Sequence, residues 1–67
     1  MEFNIGDRVR VAKSAAPDYV GLQGAIVARK SDADAIFNSY TLKTDEGDLY
    51  DFLEFQLEIV RRLDAGG

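Results

Sequence analysis

The sequence contains no cysteine, no histidine and no tryptophan, and only one proline. Without cysteine no disulfide can stabilise the fold, and without cysteine and histidine the usual zinc ligands are absent. Catalysis by a thiol or an imidazole is excluded, which leaves carboxylates, lysine, tyrosine and hydroxyl groups for acid–base or nucleophilic work. We therefore expect a protein that is not an enzyme and that has no metal and no cofactor.

Long apolar runs are missing as well, and none approaches the roughly 20 residues that span a bilayer. The N-terminal residues 1–4 lack the basic and apolar regions of a signal peptide. The expectation is a cytoplasmic protein without membrane contact, folded as one domain over residues 1–62, with a frayed tail at 63–67. A chain of 67 residues buries only roughly 60% of its unfolded surface, so self-association is one way to complete its core.

The charges are unevenly distributed along the chain. The net charge is −4, but residues 1–30 hold five basic and three acidic side chains, whereas residues 31–60 hold one lysine and eight acids. The second half would be repelled by phosphate over a large surface. Nucleic acid is therefore a disfavoured partner, although a basic stripe in the first half leaves that alternative open.

Short alternating runs separated by turn signals predict strands. In residues 8–12, Val9 and Val11 share one face and the arginines share the other. Gly47, in an acidic turn, supplies the positive φ of a hairpin. Further strands are predicted at residues 25–29, 38–44, 49–52 and 57–59, with loops at 13–20 and 31–35.

The segment after residue 52 has two interpretations. Apolar residues at helical spacing allow a helix over residues 53–63, whereas local alternation favours two short strands joined by a turn at 53–56. We favour the strands. Five short strands then predict an all-β fold, a small closed barrel, because closure removes exposed sheet edges.

The predicted core follows from this register. The residues expected to point inward are Val9, Val11, Ile26, Tyr40, Leu42, Tyr50, Phe52, Leu57 and Ile59. Phe55 is also expected inside, as an aromatic of the barrel interior.

The order of signals resembles SH3-like barrels of the KOW-type arrangement. The matching pieces are Phe3-x-Ile5-Gly6-Asp7-Arg8-Val9-Arg10-Val11, Gly21-x-x-Gly24-x-Ile26-Val27, Tyr40-x-Leu42, Asp45-Glu46-Gly47 and Phe52-x-x-x-x-Leu57-Glu58-x-Val60. The resemblance implies a small five-stranded SH3-like barrel. It implies little about function, because the shared residues are core and turn positions and this fold serves many roles.

Three groups built on this barrel imply different functions. The run from Gly6 to Val11 is similar to small accessory subunits such as the variable chain of ferredoxin–thioredoxin reductase, which implies a protein-docking module. The type II plasmid dihydrofolate reductases share parts of the same pattern and imply a ligand site inside an oligomer. Their Val-Gln-Ile-Tyr pore strand reads Leu49-Tyr50-Asp51-Phe52 here. Those four residues also resemble the signature of proline-rich-peptide-binding SH3 domains, but the groove tryptophan is absent.

Two sets of residues are candidates for binding. Tyr19 and Phe37 lie in or beside predicted loops, and an exposed pair of them, rimmed by Asp18 and Asp34, would suit a protein partner. Anion contact would use the basic side chains, which we otherwise expect to pair with acids across strands; these are Arg8, Arg10, Arg29 and Lys30.

The acidic residues form a further set between residues 45 and 58. A pair of these carboxylates would be needed for acid–base catalysis or for a hard cation, but their spacing does not match a calcium loop. A solvated acidic hairpin and edge is the favoured interpretation. The leading hypothesis is a non-enzymatic protein-interaction or accessory module. The alternatives are a small-ligand or reductase-like site in an oligomer, and RNA or DNA binding through the basic strand face.

Overall fold

The computed structural model describes residues 2–31 and 36–63, which form five strands and two short 3-10 turns. The strands are β1 (Arg8–Val11), β2 (Gln23–Lys30), β3 (Ser39–Thr44), β4 (Leu49–Leu53) and β5 (Leu57–Arg61). The 3-10 turns are Pro17–Tyr19 and Glu54–Gln56. The all-β prediction is confirmed, and the segment after residue 52 forms the predicted turn and strand rather than a helix.

All neighbouring strands in the single sheet are antiparallel, in the order β4-β3-β2-β1-β5. β4 and β5 lie at opposite ends of this order and do not pair with each other. The expected closure of the barrel is therefore wrong for the hydrogen-bonded ladder. The chain passes between these two strands through the 3-10 turn Glu54–Gln56, which redirects it toward β1 instead of forming a hairpin.

Two bulges bend the sheet. The β2–β3 register passes from Ile26 opposite Leu42 to Ala28 opposite Thr41, so Val27 has no partner. A similar shift between β1 and β5 leaves Val60 without one. An extra residue on one strand kinks it and increases its twist. The bends let a five-stranded sheet curve around one core.

The buried face carries the predicted core. Seven of the nine residues expected inside are buried, and Tyr50 and Ile59 are half-buried against them. Phe3 and Leu22, which were not predicted, also join this cluster. Phe55 is a wrong prediction, because it lies in a 3-10 turn outside the strand alternation and is 53% exposed.

Phe3 ties the N-terminal segment to β3. Its ring meets the Tyr40 ring edge to face, with centroids 5.3 Å apart. Its backbone N–H donates to the Tyr40 hydroxyl at 3.2 Å, which gives that buried hydroxyl a partner. Residues before β1 therefore belong to the folded unit.

The β3–β4 hairpin forms where the sequence predicts it. Gly47 has φ +92°, a conformation that glycine adopts without steric cost. Its N–H donates to the Thr44 carbonyl at 2.9 Å, and the Thr44 side chain accepts the Asp48 N–H at 3.1 Å. The turn and its buried threonine together fix the register of the two strands.

Asp7 is a buried carboxylate that joins the two ends of the domain. One oxygen accepts the Asn4 N–H and the other accepts the Leu63 N–H, both at 2.9 Å. Leu63, at the predicted start of the frayed tail, is thus hydrogen-bonded to the fold. Residues 64–67 lie outside the described residues, so fraying there stays a prediction.

Candidate protein-interaction surface

An exposed aromatic pair lies where the segment before β3 meets the second 3-10 turn. The rings of Phe37 and Phe55 have centroids 5.2 Å apart and an interplanar angle of 66°, and about half of each residue is exposed. The Glu54 N–H donates to the Asn38 carbonyl at 3.0 Å, which fastens the two segments to each other. Two phenyl rings are thus held in a fixed edge-to-face arrangement outside the core.

Ile36 directly precedes Phe37 in the sequence and is 89% exposed, so it adds to this apolar surface. We call Ile36, Phe37 and Phe55 the aromatic surface. Apolar side chains in an organised exposed group, unlike scattered ones, mark binding sites on folded proteins. The surface therefore has the composition of a protein-contact region, in which aromatic anchors contribute most of the binding energy.

Tyr19 packs against other aromatic rings than those of Phe37 and Phe55. The 3-10 turn Pro17–Tyr19 places it 5.5 Å from the Tyr50 ring and 5.9 Å from the Phe52 ring, and it is partly exposed. Tyr19 thus covers the edge of the core while presenting one side to solvent. Tyr19 and Phe37, the two aromatics proposed for partner contact, are both partly exposed, and their rings pack on different partners.

Two acidic residues were predicted to lie around the exposed aromatics. Asp18 is exposed beside Tyr19. Asp34 lies outside the described residues. Sequence reasoning missed Phe55 as a surface residue. The signal that identifies it is its place in the 53–56 turn, where the inward–outward alternation of β4 ends.

Each of the four candidate anion-binding side chains is paired with a carboxylate. Arg8 forms a two-pronged contact with Asp45, at 2.9 and 3.1 Å, and its Nε donates to Gln23 at 3.3 Å. The Asp45 hydrogen bond and charge raise the pKa of Arg8, and the same hydrogen bond and charge lower the pKa of Asp45. The Arg8 guanidinium is therefore ion-paired within the fold.

The strand register accounts for one of the other three pairs. Arg10 lies directly opposite Glu58 on β5 and its Nε donates to that carboxylate at 2.6 Å. Arg29 contacts Glu2 at 3.1 Å. Cross-strand pairs of opposite charge are the expected arrangement on a solvated sheet face. Binding of an external anion would have to compete with all of these carboxylates.

Lys30, Thr41 and Asp51 form a small polar group on the outer face. The Thr41 hydroxyl, directly opposite in the β3–β4 register, donates to Asp51, and Lys30 Nζ donates to it at 3.0 Å. These two hydrogen bonds, with the lysine charge, lower the pKa of Asp51. The group joins side chains of β2, β3 and β4 on the outer face of the sheet.

Within residues 2–31 and 36–63, no group of three or more acidic side chains is arranged to hold a metal ion. The same residues include no helix with the length and apolar character needed to cross a membrane. The chain matches no model of a known protein family, and a search of curated proteins finds no relative. The fold and the aromatic surface are therefore the basis on which function is inferred.

Proposed function

We propose that this chain is a non-enzymatic protein-binding module, built as an SH3-like barrel of the KOW-type arrangement, that contacts its partner through the aromatic surface. The strand order β4-β3-β2-β1-β5, with β1 paired to the last strand, supports the barrel assignment. The exposed Phe37–Phe55 pair carries the functional proposal. Its two rings pack against each other in the unbound protein, and side chains that are pre-arranged in this way lose less conformational entropy when a partner covers them.

The ion pairs within the fold support the same function. The four basic side chains considered for anion contact are ion-paired within the fold, and the carboxylate best placed beside a hydroxyl has a lowered pKa. The aromatic surface is therefore the stronger candidate for partner contact. The partner is a protein, or a second copy of this chain.

The test is the double variant Phe37→Ala, Phe55→Ala. We expect it to lose at least about tenfold in affinity for a partner that is cross-linked to the native protein and identified by mass spectrometry, because hot-spot aromatics contribute about 2 kcal/mol or more. Sedimentation velocity of the native protein and the double variant tests whether the same surface mediates self-association. The free energy of unfolding should fall by only about 1 kcal/mol, the value of an aromatic pair.

The matched control is Ile5→Ala, another exposed apolar side chain, in the segment before β1. It should leave partner binding and self-association unchanged. Equal binding by the native protein and the double variant, with both folded, would show that the aromatic surface is not the contact.

A further inference from the structure

β4 is an end strand of the sheet, with β3 on one side only. At the two ends of the β3–β4 ladder, the Thr44 N–H donates to the Asp48 carbonyl at 2.9 Å and the Glu54 N–H donates to the Asn38 carbonyl at 3.0 Å. Hydrogen-bonded and non-hydrogen-bonded pairs alternate along an antiparallel ladder. The even-numbered residues of β4 therefore bond to β3, and the odd-numbered ones direct their backbone groups away from it.

The odd-numbered residues are Leu49, Asp51 and Leu53. The Leu53 N–H donates to Gln56 Oε1 at 2.8 Å, so the second 3-10 turn occupies that end. The N–H and C=O groups of Leu49 and Asp51 have no hydrogen-bond partner among residues 2–31 and 36–63. Both residues are exposed, Leu49 to 60%. Four backbone groups thus form an accessible edge, and such an edge is complementary to another extended chain.

The charge around this edge favours one kind of chain. Residues 45–54 hold five acids and no basic residue. Asp45 and Asp51 are paired with cations from other strands, whereas Glu46 and Asp48 are exposed in the adjoining turn. A second copy would bring an equally acidic edge against this one, and like charges across adjacent strands are destabilising.

We infer that the free edge of β4 accepts an extended, lysine- or arginine-bearing segment of a partner protein as a sixth strand. This inference rests on the proposed function and gives the partner a conformation and a charge. Hydrogen bonds to Leu49 and Asp51 hold the segment in register. Basic side chains near Glu46 and Asp48 orient it, and the Leu49 side chain contacts its apolar residues.

The probe is a short acetylated peptide of alternating lysine and valine, titrated into the isotope-labelled protein. We expect saturable shifts at the amides of Leu49 and Asp51, with slower hydrogen exchange of those two amides in the complex. The matching peptide of alternating glutamate and valine should not bind. Shifts spread over the acidic residues, with unchanged exchange at Leu49 and Asp51, would mean charge attraction alone and would overturn the inference.

Backbone N-methylation separates strand pairing from charge attraction without altering the protein. In an added strand, the N–H groups of every second peptide residue point toward β4. Methylating those N–H groups should weaken binding at least about tenfold, whereas methylating the N–H groups of the residues between them should not. Equal effects from both sets would exclude a sixth strand.

Leu49→Pro is the corresponding protein variant. It removes an N–H that makes no bond to β3, and Leu49→Ala is its control because the N–H remains. The proline variant should bind at least about tenfold more weakly than the alanine variant. Equal affinities in two folded variants would count against the edge; if the proline variant does not fold, the methylated peptides decide. Loss of partner binding on removal of Phe37 and Phe55, together with no peptide binding, would leave the proposed function intact and refute only the sixth strand.

Discussion

At the scale of the residue, Asp7 is a charged side chain in the buried part of the fold. It lies in a Gly-Asp turn before β1, yet its carboxylate is buried and accepts N–H groups from Asn4 and Leu63. Burial alone would raise the pKa of this carboxyl. The two backbone N–H donors and Arg62, 3.7 Å away, outweigh that effect and hold the pKa below its ordinary 3.8.

Replacement of Asp7 by asparagine should lower the free energy of unfolding at neutral pH by about 1 to 3 kcal/mol, because one of two buried N–H donors loses its acceptor. Urea denaturation measures this effect. Asp48→Asn is the control, since Asp48 is exposed in the hairpin turn. Equal stability of native protein and Asp7→Asn would show that the carboxylate does not join the two ends.

The same carboxyl sets an acid dependence. Its pKa is lower in the folded protein than in the unfolded chain, so its stabilising contribution is complete above the ordinary value of 3.8. The contribution is lost as the pH falls from there through the lowered folded pKa. We expect the native protein to lose more stability than Asp7→Asn over this range, measured by urea denaturation at neutral pH and at about pH 3. Parallel losses would contradict the assignment.

At the scale of elements, β2 packs closely against the backbone of β3. Gly24 is buried, and a Cβ added there would lie 2.4 Å from the Lys43 carbonyl oxygen and 2.7 Å from a Leu42 methyl carbon. Such distances are far inside van der Waals contact. The two strands approach so closely that only glycine fits at this position.

Gly24→Ala should therefore destabilise the fold by about 1 to 3 kcal/mol, the usual cost of overpacking a core site. The obstructing atom belongs to the backbone of β3 and cannot rotate away. Val27→Ala is the control in the same strand, because Val27 is an exposed bulge residue. Thermal unfolding of both variants gives the comparison, and an unchanged midpoint for Gly24→Ala would show that β2 and β3 can separate at little cost.

Element types were more predictable than their connections. Alternation identified β1 and β3 because side chains of a strand point alternately to two faces, and turn chemistry identified the hairpin at Gly47. Alternation did not reveal the bulge at Val27, since an extra residue looks like ordinary sequence. Nor did it predict that Phe55 is exposed, because a 3-10 turn of three residues is too short to show a periodic pattern of apolar residues.

At the scale of the whole molecule, the uneven charge along the sequence becomes a set of ion pairs. Residues 1–30 have a net charge of +2 and residues 31–60 of −7. The fold brings three of the four candidate anion-binding side chains against carboxylates of the second half, and the fourth, Arg29, against Glu2. The remaining charge is acidic, so the protein as a whole repels polyanions.

We therefore expect no measurable binding of single-stranded RNA or duplex DNA, even at about 20 mM salt, where phosphate contacts are strongest. Fluorescence anisotropy with labelled oligonucleotides measures this. Arg29 and Lys30, the last two residues of β2, are the residues to replace if binding is seen. Affinity that falls steeply with salt and disappears in Arg29→Ala, Lys30→Ala would establish the nucleic-acid alternative.

The sequence by itself determined the all-β class, the inward-facing residues and the place of the hairpin, because these depend on side-chain alternation and turn chemistry over short distances. Only the tertiary structure decided which distant groups meet. It brought Leu63 to Asp7 and Phe55 to Phe37 and left β4 as an open edge. Such contacts depend on bulges, a three-residue turn and strand order, which local periodicity does not encode. The absence of cysteine and histidine excluded thiol and imidazole catalysis, and the fold decided which apolar side chains and backbone groups lie exposed.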